Sequence, residues 1–128
     1  MTAASGKKPI ISGETAERFS AVGESLVVHE WRGSGPAALH VHHADDEAWH
    51  VLEGTLRFRF VDREVDVGSG RTVFVPAGVA HTYEAVNARY LIILTPRLAS
   101  LVAELQQTRD RAAQPEVYRK YQSELLEV

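Results

Sequence analysis

The 128-residue sequence has no cysteine, so disulfides, thiolate metal centres and cysteine nucleophiles are excluded, and any bound metal must take nitrogen and oxygen donors. It also lacks a basic excess: 14 Lys and Arg stand against 17 Asp and Glu, for a net charge of -3 and a pI near 6.1. Neither nucleic acid nor an anionic membrane surface is therefore an expected partner. No run approaches the roughly 18 apolar residues of a membrane helix. The lysines at Lys7 and Lys8 are not followed by an apolar core, so no secretory signal is visible and a cytoplasmic location is expected. Strand–helix–strand alternation is missing too, which removes the nucleotide-binding α/β folds.

What the chain does have is short strands between Gly, Pro, Asn and Asp turns, the pattern of an antiparallel sandwich or small barrel. Residues 1–8 read as a disordered lead and 9–96 as the β domain. Ser25–Trp31 reads as a strand ended by the Arg32–Pro36 loop. Thr55–Val61 alternates apolar and basic residues, as a half-buried strand does, with Leu56, Phe58 and Phe60 inward. A hairpin follows over Asp62–Gly70. Thr82–Val86 and Arg89–Leu94 read as two strands joined by a turn at Asn87. Beyond Pro96 the period changes. Leu98, Leu101, Val102 and Leu105 mark an amphipathic helix over Arg97–Arg111, and Pro115 opens a second over Glu116–Leu126, so that 97–128 form a helical extension packed on the barrel.

The chemistry concentrates in two stretches. His40 and His42 are two residues apart, so on a strand their rings leave the same face at a Cα separation of roughly 7 Å and can converge on one ion. Glu47 offers an oxygen after the polar turn Ala44–Asp46. In Gly70–His81 a β-branched run ends in Pro76-Ala77-Gly78, which reverses the chain and aims His81 from the start of the next strand. His40, His42, Glu47 and His81 are thus the expected metal ligands. His43 and His50 have the opposite parity and are left out, with His43 or Asp46 as substitutes if the strand bulges. Trp49 and Val51 share the parity of Glu47, and Tyr83 that of His81. With Phe58 and Phe60 they are the expected substrate pocket, an aromatic wall suited to a flat apolar molecule.

These residues resemble the two motifs of the cupin superfamily, G-x5-HxH-x3,4-E-x6-G and G-x5-PxG-x2-H-x3-N. His40, His42, Glu47 and Gly54 meet the first, with Gly35 one residue nearer His40 than the pattern asks; Gly70, Pro76, Gly78 and His81 meet the second, with Ala85 in place of the final asparagine. The resemblance, spanning about Gly35 to Ala85, implies an all-β, cupin-type jelly-roll barrel with a C-terminal helical tail, a metal in its mouth, and a homodimer. Three imidazoles and a carboxylate suit one divalent transition ion, whether Fe, Mn, Ni, Co, Cu or Zn. The tail is similar to that of quercetinase-like cupins. The expected function is that of a metal-dependent oxidoreductase acting on a small organic molecule as a dioxygenase, with Glu47 as ligand and proton acceptor in turn. The alternatives are a non-oxidative isomerase, lyase or cyclase at the same ion, or a metal- or small-molecule-binding module.

Overall fold

A computed structural model describes residues 8–127, so all but one residue of the expected disordered lead lies outside the described residues. Eight strands form one antiparallel network: β1 (Ser20–Val22), β2 (Val27–Trp31), β3 (His40–His42), β4 (Glu47–Phe60), β5 (Glu64–Gly68), β6 (Thr72–Val75), β7 (His81–Leu94) and β8 (Ser123–Leu125). Along one path the order is β1-β2-β7-β3-β8, while β4 pairs with β5, β6 and β7. Helix α1 (Pro96–Gln107), a 3-10 turn (Arg111–Ala113) and helix α2 (Gln114–Lys120) lie between β7 and β8. The fold is the all-β jelly roll expected, with helices toward the C-terminus.

Strands β4 and β7, 14 residues each, are the spine of the molecule. They pair from Ala48↔Ile93 to Phe60↔His81, with register shifts on either side of Glu53. Gly54 causes the bend. It has φ +73°, and a Cβ there would run into the backbone carbonyl of Asn87. Asn87, at φ +49°, is therefore a kink inside one continuous strand, not a turn between two. The paired irregularities interrupt the long β4–β7 ladder near its middle.

The core is the expected strand interior with a helical contribution. Val27, Trp49, Val51, Leu56, Phe58, Tyr90, Ile92 and Leu94 are buried, and Leu98 and Leu101 of α1 and Val117 and Tyr118 of α2 close over them. Thr95 caps α1 by accepting from the Leu98 amide at 3.2 Å, with Pro96 in the first turn where its missing N–H costs nothing.

The tail departs from expectation in two places. Helix α1 stops at Gln107, where Thr108 is already extended. Helix α2 stops at Lys120, because Gln122 turns left-handed at φ +56° and Ser123–Leu125 leave as a strand beside β3. The backbone groups of Val41 and its neighbours would otherwise lie at an open sheet edge; pairing them outweighs continuing the helix.

Candidate metal centre and its cavity

Each histidine is placed by backbone pairing. His40 lies directly opposite His81 across β3 and β7, and their ring centroids are 4.6 Å apart. His42 is two residues along β3 on the same face, 5.3 Å from His81 and 5.0 Å from His40. The Pro76–Gly78 turn is stitched to the first stretch: the Gly78 amide donates to the His42 carbonyl at 2.8 Å and the Ala77 amide to Asp46 Oδ1 at 2.9 Å. Gly78 sits at φ +91°, which its lack of a side chain permits. All three histidines are buried, and one ring nitrogen from each lies within 4.8 Å of the others, so the trio can hold a metal ion.

The Nδ1 atoms face outward and are engaged. His40 Nδ1 lies 3.0 Å from the Ala38 carbonyl, His81 Nδ1 3.0 Å from the Val79 carbonyl, and His42 Nδ1 2.8 Å from Ser123 Oγ. These outward partners suit an Nδ1–H tautomer, which would leave each inward Nε2 free to bind an ion in place of its contact with Glu47. Ser123 is itself fixed, its hydroxyl donating to the Tyr121 carbonyl at 3.3 Å. It belongs to β8, in a segment whose spacing reads as helix, so nothing in the sequence marks it as a partner of His42.

Glu47 is buried between two rings, its Oε1 3.1 Å from His81 Nε2 and 3.2 Å from His42 Nε2. It lies outside the close trio of ring nitrogens yet touches two of them. Burial would raise its pKa, but hydrogen bonds from His42 and His81 prevail and hold it at about 2. Burial, and next the charge of His81, push His40 down to about 4. Without an ion, the Nε2 atoms of His42 and His81 share the Glu47 carboxylate. His43 is half-exposed and paired with Glu124 at 3.2 Å, and His50 shares a 2.8 Å hydrogen bond with Thr72; neither joins the cluster.

A cavity of about 480 Å³ opens above His40, His42 and Glu47. Of the five aromatic and aliphatic residues expected to wall it, only Tyr83 does. Trp49, Val51 and Phe58 are fully buried in the sandwich, Trp49 packing edge-on to Phe58 at 4.9 Å and to Tyr83 at 5.4 Å, while Phe60 stacks on Phe58 at 6.0 Å. The volume they fill is core. The actual wall comes from Trp31 and Ile92, from Leu101, Val102 and Leu105 of α1, and from Tyr118 of α2. Tyr118 stands 5.7 Å from the His40 ring. Its only signal in the sequence was an aromatic residue in an otherwise amphipathic tail. Gly35 is explained here as well: a Cβ would strike the Tyr83 ring.

The sequence profile of the cupin domain matches residues 25–95, the span from β2 through β7. No curated protein matches the chain. Among solved structures, BH2720 from Bacillus halodurans is similar at TM-score 0.55 and 19% identity, over 72% of this chain and 84% of its own. Protein NMB1881 from Neisseria meningitidis is similar at TM-score 0.52 and 20% identity, over 64% and 86%. KdgF from a Halomonas species is similar at TM-score 0.52 and 15% identity, over 62% and 78%. At these identities the likeness is one of fold. The profile match covers more than half of the residues, both histidine stretches included, and the chain belongs to the cupin family.

Proposed function

We propose that this protein is a metal-dependent cupin enzyme acting on a small, flat, largely apolar organic molecule, with dioxygenation of the quercetinase type as its reaction. One observation carries the reading: two imidazoles of the buried histidine trio, His40 and His42, lie with Glu47 on the floor of a largely apolar cavity of about 480 Å³, a size suited to a small organic ligand. His40, His42 and His81 would hold the ion, with Glu47 as the adjacent carboxylate. A divalent ion there supplies a Lewis acid to a substrate oxygen and, where redox-active, an electron donor to dioxygen.

The chain's own residues contribute position and dryness. Ala38, Val79 and Ser123 fix the ring orientations from behind. Leu101, Val102, Leu105 and Tyr118 exclude water from one side and offer a flat substrate an apolar face. In this reading Glu47, flanked by two imidazoles, takes a proton from a substrate hydroxyl entering that space. The reading includes a homodimer, which sedimentation of the purified protein tests, and a cytoplasmic location, which cell fractionation tests.

The decisive experiment is oxygen consumption by the protein loaded in turn with Fe(II), Mn(II), Ni(II), Co(II), Cu(II) and Zn(II), in the presence of a flavonol or a β-diketone. Uptake that depends on a redox-active ion and is lost in His81→Ala supports dioxygenation. Conversion of substrate without oxygen uptake would replace it by a lyase, isomerase or cyclase reaction, and binding without turnover by a carrier role.

A further inference from the structure

The cavity is apolar through most of its depth but not at its rim. Three hydrogen-bond donors border it from the C-terminal segment: Gln106 near the end of α1, Arg111 in the 3-10 turn and Gln114 at the start of α2. Arg111 is the single arginine or lysine on the lining and Glu47, on the floor, the single carboxylate. The guanidinium of Arg111 makes no ion pair with any described residue; Arg18, Arg32, Arg63, Arg71 and Arg109 share this, but of these only Arg111 lines the cavity. The amides of Gln106 and Gln114 likewise have no side-chain hydrogen bond among the described residues.

We propose that the rim formed by Gln106, Arg111 and Gln114 recognises an anionic group, so that the substrate is a flat organic molecule carrying a carboxylate at the end remote from the metal. The inference rests on the cavity being the substrate site. A planar guanidinium pairs with a carboxylate through two parallel N–H···O bonds, and flanking amides complete its lone pairs. An uncompensated cation over a low-dielectric wall also draws anions toward the opening of a protein whose net charge of -3 would otherwise repel them. A wholly apolar ligand would leave all three donors without use. One that is apolar in the middle and anionic at the outer end satisfies wall and rim together, and orients its opposite end toward His40, His42 and His81.

The test compares 2-naphthoate with its neutral isostere 2-naphthamide. Affinities are measured by nuclear magnetic resonance shifts of the Leu101, Val102 and Leu105 methyl groups, on both the metal-free and the zinc-loaded protein. The naphthoate is expected to bind about tenfold more tightly, the lower end for a charge-assisted hydrogen bond because the site is open to water. Arg111→Gln should erase the difference and Arg111→Lys restore part of it. Equal affinities in the parent protein would overturn the proposal while leaving the cavity as a substrate site. So would a preference that survives Arg111→Gln, or one present only with zinc, which would place the carboxylate on the ion instead. Failure of both compounds to move any of these methyl groups would overturn this proposal together with the reading on which it rests.

Discussion

Replacing Ser123 by alanine removes one oxygen atom that lies 81 residues from its partner in sequence and 2.8 Å from it in space. His42 Nδ1 would lose its outer hydrogen-bond acceptor, and the site is too buried for water to replace it freely, since Ser123 is only 2% exposed. The ring could then rotate, or take the other tautomer and turn a protonated Nε2 toward the ion. Outer partners of metal-bound histidines are typically worth ten- to a hundredfold in metal affinity, or about 1.4 to 2.8 kcal/mol. The metal-free fold loses less, on the order of 1 kcal/mol for one buried hydrogen bond. Two assays separate these effects: competition for zinc against a chelator of known strength, and urea unfolding of the metal-free protein. The expected pattern is a large loss in the first and a small one in the second. Unchanged zinc affinity in Ser123→Ala would refute the argument that β8 orients the site.

Three further outcomes follow from the same geometry. His81→Ala should retain strand-type circular dichroism while losing zinc affinity by at least the hundredfold that ends the outer-shell range, because a whole donor disappears; parent-like affinity would sink the ligand assignment. The metal-free protein should become less stable on acidification in two stages, as read by urea midpoints. His40 has its pKa at about 4 in the folded chain against an ordinary 6.5, so its contribution is complete above pH 6.5 and declines by on the order of 3 kcal/mol as the pH falls to 4. Glu47, depressed from 4.5 to about 2, adds a loss from pH 4.5 downward; a midpoint that does not move between pH 7 and 4.5 would contradict the burial of a neutral His40. Gly54→Ala should destabilise by about 1 to 3 kcal/mol from its left-handed backbone alone, and by more from the collision with Asn87, whereas Gly68→Ala, with open space around it, should be tolerated; equal melting temperatures for the two variants would count against the paired kink.

The histidine trio was legible in the sequence because two simple geometric rules determine it. Alternate residues on a strand share a face, and a Pro-x-Gly turn reverses the chain at a defined point, which brings His81 opposite His40. The cavity wall was not legible, because parity separates buried from exposed faces but not packed core from open space. Trp49 and Phe58 do face inward, but into the sandwich. Asn87 was misread since asparagine marks turns and left-handed kinks alike; what distinguishes the two is Gly54 on the facing strand, a long-range pairing. The tail failed for a similar reason. Val117, Tyr121 and Leu125 keep a helical spacing, yet the helix ends at Lys120 and the chain turns at Gln122, a residue without the usual glycine signal, to pair with strand β3.

Strand β3 has one backbone partner on β7 and three on β8, so the two histidines it carries are held mainly by a segment made some eighty positions later in translation. The β4–β7 ladder uses no residue of that segment, whereas His42 leans on it through Ser123. Deleting Ser123–Leu125 is therefore expected to weaken zinc binding more than it disturbs the β4–β7 ladder, so that metal retention reports whether β8 is docked on β3.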